Sequence, residues 1–261
     1  MKIMAITDLR GNTDVLESFN AKVREEAPGM IMFTGDIVPE GARFREWSAA
    51  RRDDRPADSK LPQIRQEEHD DIRCYDAFFR ALSATGVRAY VIPGGMDAPL
   101  DLFLQAAANR EIVAHNIHVV HNRIASKFIS PQARDMYVCG FGGIIDEEET
   151  ETCFILQFSH WQALYAAESF ADYPDPKVLL VHTPPKVMSE HGSRVVEEMI
   201  NTVRPSHAFC GAVDGMQSER NIGTTFVVCP GRMCDGNYAI VDSLTKNVQF
   251  RKLEVGAAQA L

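Results

Sequence analysis

Five apolar runs in this 261-residue chain each end in a short cluster of polar residues. Short apolar runs bounded by turn residues are typical of buried β-strands. Open α/β sheets form their ligand sites at the carboxyl ends of the strands, so side chains at several such ends converge on one pocket. The pattern predicts a polar site built from separate strand ends, and the runs span residues 3–8, 30–36, 88–97, 178–182 and 207–214.

All five strand ends carry an ionisable side chain suited to binding a cation or a phosphate. Asp8 and Asp36 end the first two runs, and Asp97 ends the third within Pro-Gly-Gly-Met-Asp. His182 precedes Thr-Pro-Pro at the fourth, and Asp214 ends the fifth. Carboxylates and imidazoles are common ligands of divalent metals, so these positions are the candidate site residues.

The order of these motifs resembles that of the calcineurin-like metallophosphoesterase superfamily, whose motifs run Asp-x-His, Gly-Asp, Gly-Asn-x-Asp or Glu, His, and Gly-His-x-His. The match spans almost the whole chain. A further series, from His182 through His191-Gly-Ser to Cys229-Pro-Gly, is similar to one bacterial and archaeal branch, some of whose members look depleted in metal ligands. The resemblance implies an α/β fold, a four-layer αββα sandwich of two facing mixed β-sheets flanked by helices.

Three residues take metal-binding roles by this resemblance. It implies that Asp8 is a carboxylate ligand of the first metal and Asp36 the carboxylate that bridges both metals. It implies that His182 is an imidazole ligand of the second metal, and His182 is also expected as a phosphate contact or proton donor.

Four positions depart from the motifs of the superfamily. Arg10 stands where the superfamily has a histidine, Gly95 where it has the asparagine ligand, and Ala212 and Asp214 where it has the paired histidines. A two-metal centre clamps the attacking and leaving oxygens, and each ion needs enough ligands. The depleted set predicts at most one divalent metal, Mn²⁺ or Mg²⁺, on an all-carboxylate site that includes Asp214, or no metal at all.

Arg10 is the residue that distinguishes these possibilities. A guanidinium stays protonated and cannot coordinate a cation. If it pairs with Asp8 or Asp36 it replaces the charge of a metal, and if it points outward its N–H fork can grip a phosphate. The sequence is compatible with both arrangements, so Arg10 is expected as a catalytic or substrate-binding residue, with Gly95 and Asp97 beside it on the substrate side.

The same positions also have purely structural interpretations. Asp8 and Asp36 resemble helix caps, and Asp97 is expected to cap the helix that follows it. Asp214 lies in an ordinary turn sequence, and Gly95 suits a tight backbone bend. In register with three further strand ends, Asp8 and Asp36 favour the site interpretation.

Length and composition favour a single domain over residues 1–261, with a charged insertion at about 40–71. The insertion reads as a helix, a solvated loop and the start of a second helix. Because it leaves the chain directly after Asp36, the alternative is a lid or partner surface over the pocket. The acidic run at 146–151 is expected as a solvated loop, or as a segment that reaches over the site.

The remaining pattern predicts helices at about 13–27, from Trp161 and at 195–203, and four short strands between residues 207 and 253. Residues 115–129 alternate in polarity and predict a hairpin that turns near Asn122.

The formal net charge of −9 argues against nonspecific binding to nucleic acid. No apolar run approaches the roughly 20 residues that cross a bilayer, and the chain starts directly with a strand-like run. These features predict a cytoplasmic protein without a membrane partner.

Two functions follow. The favoured one is a metallophosphoesterase-fold protein with a degraded metal site that binds a phosphorylated ligand or a protein partner, with weak or no hydrolysis. The other is an active metal-dependent phosphoesterase, a phosphomonoester or phosphodiester hydrolase, with a reduced ligand set.

Overall fold

The computed structural model describes residues 1–127, 136–146, 153–211 and 215–254. Its first sheet has six strands. Four neighbouring strands are parallel to one another, and the two strands at one edge of the sheet each pair antiparallel with the next strand. The six strands are β1 (Lys2–Ile6), β2 (Met30–Phe33), β3 (Ala89–Val91), β4 (Ile117–Val119), β13 (Asn237–Asp242) and β14 (Val248–Lys252), in the order β14-β13-β1-β2-β3-β4.

The second sheet also has six strands, with four parallel strands in the middle and an antiparallel strand at each edge. They are β5 (Arg123–Lys127), β6 (Met136–Phe141), β9 (Lys177–Val181), β10 (His207–Cys210), β11 (Ser218–Ile222) and β12 (Thr225–Cys229), in the order β11-β12-β10-β9-β6-β5. A separate parallel pair is formed by β7 (Ile144–Asp146) and β8 (Gln157–Ser159).

The described residues contain six α-helices: α1 (Val15–Glu26), α2 (Ala42–Arg52), α3 (Pro62–Ala84), α4 (Leu100–Ala114), α5 (His160–Ala171) and α6 (Arg194–Val203). Five of them cover the outer faces of the two sheets, and α2 packs against α3. The first sheet packs against α1, α3 and α4 through an aromatic cluster that includes Phe19, Phe78 and Phe103. The second packs against α5 and α6 through small and aliphatic residues.

The inner faces of the two sheets pack on each other. Their contact is a fully buried apolar layer in which Ile3 and Met32 of the first sheet meet Leu180 and Phe209 of the second. Burial of such side chains stabilises the fold by about 1.5–3 kcal/mol each. The layers therefore run helix, sheet, sheet, helix, and the predicted αββα architecture is confirmed.

Local predictions fared unevenly. The predicted helices near the start of the chain and around residue 195 are present, and the insertion does contain a helix, a loop and the start of a second helix. The hairpin at 115–129 is wrong, because β4 pairs with β3 in one sheet while β5 pairs with β6 in the other. The described part of the C-terminal region has five strands rather than four. Among the described residues, no helix combines the length and apolarity needed to cross a membrane.

Candidate functional site

The loops after β1 and β2 bring Asp8 and Asp36 to the same edge of the first sheet. Both residues adopt left-handed backbone conformations, with φ of 54° for Asp8 and 61° for Asp36. Such conformations cost free energy in non-glycine residues and are typical of functional sites. Backbone hydrogen bonds hold the loops together, with Asp8 N donating to Gly35 O over 2.9 Å and Arg10 N to Asp36 O over 3.0 Å.

The guanidinium of Arg10 lies between three carboxylates. Its Nε donates to Asp8 Oδ1 over 2.8 Å, its Nη2 to Asp36 Oδ2 over 3.4 Å and its Nη1 to Glu40 Oε1 over 3.1 Å. The Asp8 side chain is 0% exposed and the Arg10 side chain 25% exposed, whereas Glu40 is 51% exposed. Of the two arrangements that the sequence allowed, the structure contains the one in which Arg10 pairs with the strand-end carboxylates.

His182 lies on the other side of Asp36. Its Nδ1 is 2.7 Å from the backbone oxygen of Thr34, and its Nε2 is 3.6 Å from Asp36 Oδ1. Because a carbonyl oxygen only accepts, Nδ1 carries a proton. Burial lowers the pKa of His182, but the carboxylates of Asp36 and Asp8 outweigh it, so the pKa is raised overall. The imidazole is therefore a second positive or readily protonated group at the site.

The charges of the cluster are interdependent. Burial raises the pKa of Asp36, and the nearby Asp8 adds to that effect, while His182 and Arg10 partly offset it. Burial acts to lower the pKa of Arg10, but the adjacent carboxylates raise it above its ordinary value. The guanidinium therefore stays charged throughout the working pH range.

Asp97 accepts hydrogen bonds from the loop that carries Asp36. Its Oδ2 accepts from the backbone N–H groups of Asp36 over 2.9 Å and of Gly94 over 2.7 Å. Its Oδ1 accepts from Ile37 N over 2.9 Å and from the hydroxyl of Tyr75 over 3.3 Å. Burial, followed by the charge of Asp36, raises the pKa of Asp97 to about 7. Asp97 therefore positions the loop that carries Asp36.

This role differs from the helix cap expected for Asp97. The helix α4 has Pro99 as its N-cap and receives no side-chain cap, because the Asp97 oxygens are taken by the loop amides instead. Its side chain is completely buried, and its expected place on the substrate side stays a prediction. Asp8 and Asp36 are not helix caps either, since the N-cap of α1 is Asp14 and the N-cap of α2 is Gly41.

The two glycines of the third strand end have different neighbours. A Cβ on Gly94 would lie 2.2 Å from the backbone nitrogen and from Oδ1 of Asp36, so only glycine permits this approach. A Cβ on Gly95 would lie 2.7 Å from Cδ1 of Ile144. The side chain of Ile144 therefore fills the space beside Gly95, the position where the superfamily has an asparagine.

The described residues do not fit a two-metal centre. Within ranges 1–127, 136–146, 153–211 and 215–254, no group of three or more His, Cys, Asp or Glu side chains is arranged to hold a metal ion. Arg10 bonds to both strand-end carboxylates, and Ile144 fills the space beside Gly95. Ala212 and Asp214 lie outside the described residues, as does the acidic run from 147 onward.

Two participants were missed by sequence reasoning. Glu40, the first residue of the charged insertion, accepts a hydrogen bond from Arg10. Its position four residues after Asp36 could have indicated that it lies near the site. Ile144 reaches Gly95 from β7, and nothing in the sequence spacing indicates that contact.

Comparisons with known proteins agree with this fold. The chain matches the family model described as metallophosphoesterase, calcineurin superfamily, over residues 1–253. One crystal structure with 30% sequence identity aligns with a TM-score of 0.86 and covers 97% of this chain and 98% of that chain. The crystal structure of TT1561 of Thermus thermophilus has 26% identity and a TM-score of 0.77, covering 96% of this chain and 98% of that chain.

A dimetal phosphatase from Danio rerio shares the fold at 12% identity, with a TM-score of 0.57 and coverage of 97% of this chain and 96% of that chain. No curated protein matches the chain. Because the family model spans nearly the whole sequence, the chain belongs to the metallophosphoesterase family of the calcineurin superfamily.

Proposed function

We propose that this protein binds a phosphorylated ligand at the Arg10 site and hydrolyses phosphoesters weakly or not at all. One observation carries the proposal: the guanidinium of Arg10 is hydrogen-bonded to both Asp8 and Asp36. In a two-metal phosphoesterase, cations supply the positive charge at this place. Here a covalently attached cation does so, and the metal site is degraded.

The exchange of a metal for arginine affects binding and catalysis differently. A guanidinium donates N–H groups to phosphate oxygens, so Nη1 of Arg10 can bind the ligand while Nε and Nη2 stay bonded to Asp8 and Asp36. A metal produces a nucleophile near neutral pH by binding a water molecule and lowering the pKa of that water. A guanidinium cannot bind water as a ligand in this way. The site is therefore suited to holding a phosphoester rather than to cleaving it.

Glu40 is the group that a ligand would replace. Arg10 already pairs with Asp8 and Asp36, and Glu40 adds a further carboxylate at Nη1. Its side chain is half exposed, and exposed ion pairs contribute only about 0–1 kcal/mol. A phosphate that takes its place on Nη1 would keep both buried carboxylates paired.

Calorimetric titration with phenyl phosphate in the presence of EDTA tests the proposal. Wild-type protein should bind, and chelation should not change the affinity. Arg10→Lys keeps the charge but loses the planar fork, so affinity should fall about tenfold. Arg204→Gln, at the far end of α6, removes a distant positive charge and serves as the matched control.

Three outcomes would overturn the proposal. They are no binding by wild-type protein, equal affinity of Arg10→Lys and wild type, and binding that disappears with EDTA. Thermal unfolding of each variant verifies that it is folded before its affinity is interpreted.

A reduced-ligand phosphoesterase is the second candidate. The observation in its favour is that Asp8, Asp36 and His182 still lie together, with His182 Nε2 3.6 Å from Asp36 Oδ1. This candidate predicts Mn²⁺-dependent turnover of a phosphomonoester or phosphodiester that Asp36→Asn abolishes.

A further inference from the structure

A second arginine lies beside the loop that carries Asp8. Arg232 belongs to the segment that crosses from β12 of the second sheet to β13 of the first. It faces Thr7 in a parallel β-bridge, at the spacing of about 4.8 Å that separates paired strands. Two backbone hydrogen bonds continue this pairing, from Met233 N to Thr7 O over 2.8 Å and from Cys234 N to Asp8 O over 3.0 Å. The backbone of Arg232 is therefore fixed at the end of β1, where the site forms.

The side chain of Arg232 lies against the segment that follows β10, at the fifth strand end. A Cβ placed on Gly215 would lie 3.6 Å from Cζ, Nε and Nη1 of Arg232. At the other end of the same connection, a Cβ placed on Gly211 would lie 2.9 Å from Nδ1 of His182. Four residues of chain span at most about 14 Å, so Gly211 and Gly215 cannot be farther apart than that. The guanidinium of Arg232 and the imidazole of His182 therefore belong to the same strand-end edge.

Arg10 and Arg232 also have a common neighbour, the thiol of Cys234. Burial and then the carboxylates of Asp235 and Asp8 raise the pKa of Cys234, and the guanidinium groups of Arg10 and Arg232 both act to lower it. Charges more than about 10 Å apart are largely screened in solution, so an effect on one thiol places both guanidinium groups in its neighbourhood. The hydrogen bonds and the electrostatics thus agree that two arginines accompany Asp8.

The two arginines differ in how their charges are compensated. Arg10 is hydrogen-bonded to three carboxylates. Within residues 1–127, 136–146, 153–211 and 215–254, the side chain of Arg232 forms no hydrogen bond or ion pair, and its Nε is buried without a partner. A buried donor left unpaired is rare in native structures and is explained by a functional role, a bound ion or an ordered water. Arg232 therefore adds a positive charge that no carboxylate of the described residues pairs with.

We propose that Arg232 is the second phosphate-binding cation of the site and makes it prefer a phosphomonoester dianion to a phosphodiester monoanion. This inference rests on the proposed function and names its ligand class. Arg10 has only Nη1 to offer a ligand, because its Nε and Nη2 are bonded to Asp8 and Asp36. A phosphomonoester is close to a dianion above about pH 7 and has three strong acceptor oxygens, so it can bind both guanidinium groups. A phosphodiester has one fewer charge and one fewer such oxygen, so the second cation strengthens its binding less.

A monoester and its own methyl ester test this directly. Calorimetric titration in EDTA at about pH 8 compares phenyl phosphate with methyl phenyl phosphate, which share the aromatic group and differ in charge and in free oxygens. Wild-type protein should bind phenyl phosphate about tenfold more tightly than the diester. Arg232→Gln should remove this preference, because it lowers the affinity for phenyl phosphate about tenfold and changes the affinity for the diester little.

Two further variants make the comparison specific. Arg204→Gln makes the same charge change at the far end of α6 and should keep the preference. Arg232→Lys keeps the charge but loses the planar fork, so the preference should fall about threefold, and this variant carries the test if thermal unfolding shows that Arg232→Gln does not fold. A merely structural role of Arg232 would weaken the binding of both ligands equally. That result, or a preference that Arg204→Gln reduces as much as Arg232→Gln does, overturns the proposal.

The outcomes separate this inference from the function on which it rests. If binding of phenyl phosphate depends on Arg10 but Arg232→Gln keeps the wild-type preference, the assignment of Arg232 is wrong and the proposed function stands. If the preference depends on Arg232 while binding is insensitive to Arg10→Lys, Arg232 binds the phosphate and the proposed function is wrong. Absence of binding to either ligand by wild-type protein would overturn both.

Discussion

Arg10 Nε donates a hydrogen bond to Asp8 Oδ1 over 2.8 Å, two positions along the same loop. The pairing is local because both residues have left-handed backbones, with φ of 54° at Asp8 and 47° at Arg10, which fold the loop back on itself. One strand end therefore carries both the buried carboxylate and the cation that neutralises it. We therefore expect the stability of the site, and the ligand binding proposed for it, to depend on this pair.

Removal of the guanidinium should destabilise the fold. Arg10→Gln leaves Asp8 and Asp36 buried without their cation, and we expect the free energy of unfolding to fall by about 2–3 kcal/mol near pH 8. Burial already raises the pKa of Asp36, and loss of Arg10 raises it further. The variant can then relieve the repulsion by protonation, so its deficit should shrink as the pH falls.

Urea denaturation at about pH 8 and about pH 5.5 measures both effects. Adding Asp8→Asn to Arg10→Gln should restore part of the stability. A deficit that is equal at both pH values, or absent, would mean that the pair does not balance buried charge.

Loss of Glu40 should strengthen phosphate binding. Its carboxylate lies 3.1 Å from Arg10 Nη1 and would compete with the proposed ligand for that donor. We expect Glu40→Gln to raise the affinity for phenyl phosphate by about threefold to tenfold, because an exposed ion pair is worth about 1 kcal/mol. Glu25→Gln removes an exposed carboxylate that pairs with Lys22, and should leave the affinity unchanged. Weaker or unaltered binding in Glu40→Gln contradicts the competition.

The neighbouring glycines should respond differently to alanine. A Cβ at Gly94 would lie 2.2 Å from the Asp36 backbone nitrogen, and the backbone cannot move aside without breaking its hydrogen bonds. We therefore expect Gly94→Ala to lower the free energy of unfolding by more than about 3 kcal/mol. A Cβ at Gly95 would lie 2.7 Å from both Cγ1 and Cδ1 of the Ile144 side chain, which can move, so we expect the free energy of unfolding to fall by only about 1 kcal/mol. In an Ile144→Ala background, Gly95→Ala should cost less free energy of unfolding than in the wild type, whereas the cost of Gly94→Ala should not change. Equal losses at the two positions, measured by urea denaturation, would contradict the packing described.

His121 should make stability depend on pH in the acid range. Gly142 N donates to His121 Nδ1 over 2.9 Å, so this nitrogen must stay unprotonated. Burial, together with the charge of Arg123, lowers the pKa of His121 to about 4. A lowered pKa means that the contribution is complete above the ordinary value near 6.5 and is lost as the pH falls from there to about 4.

We therefore expect His121→Gln to reduce the drop in unfolding free energy between about pH 6.5 and about pH 4.5, by about 1–2 kcal/mol. His69→Gln, an exposed position on α3, is the control and should leave the profile unchanged. An identical pH profile for His121→Gln and wild type would show that His121 is not the group responsible.

The convergence of Asp8, Asp36 and His182 was predictable, because the local apolar runs locate the strand ends and the order of the motifs matches that of the superfamily. The pairing of the strands could not always be predicted. Residues 115–127 alternate as a hairpin does, yet β4 and β5 join different sheets, because each takes its hydrogen bonds from a distant strand. A local pattern does not contain that choice.

The site shows the same division. The sequence limited Arg10 to two arrangements, and the loop conformation selected the one with Asp8. Asp97 was expected at a helix start, but an aspartate before a proline looks the same whether it caps a helix or binds loop amides. Ile144 reaches Gly95 from a segment nearly fifty positions away, and only the assembled fold brings them together.

The first measurement to make is Mn²⁺-dependent hydrolysis of bis(nitrophenyl) phosphate by wild-type protein, with Asp36→Asn prepared in parallel. If the guanidinium of Arg10 has taken the place of the metals, both proteins should show the same background rate with and without Mn²⁺. Turnover that requires Mn²⁺ and disappears in Asp36→Asn would contradict this and establish a phosphoesterase that works with a reduced ligand set.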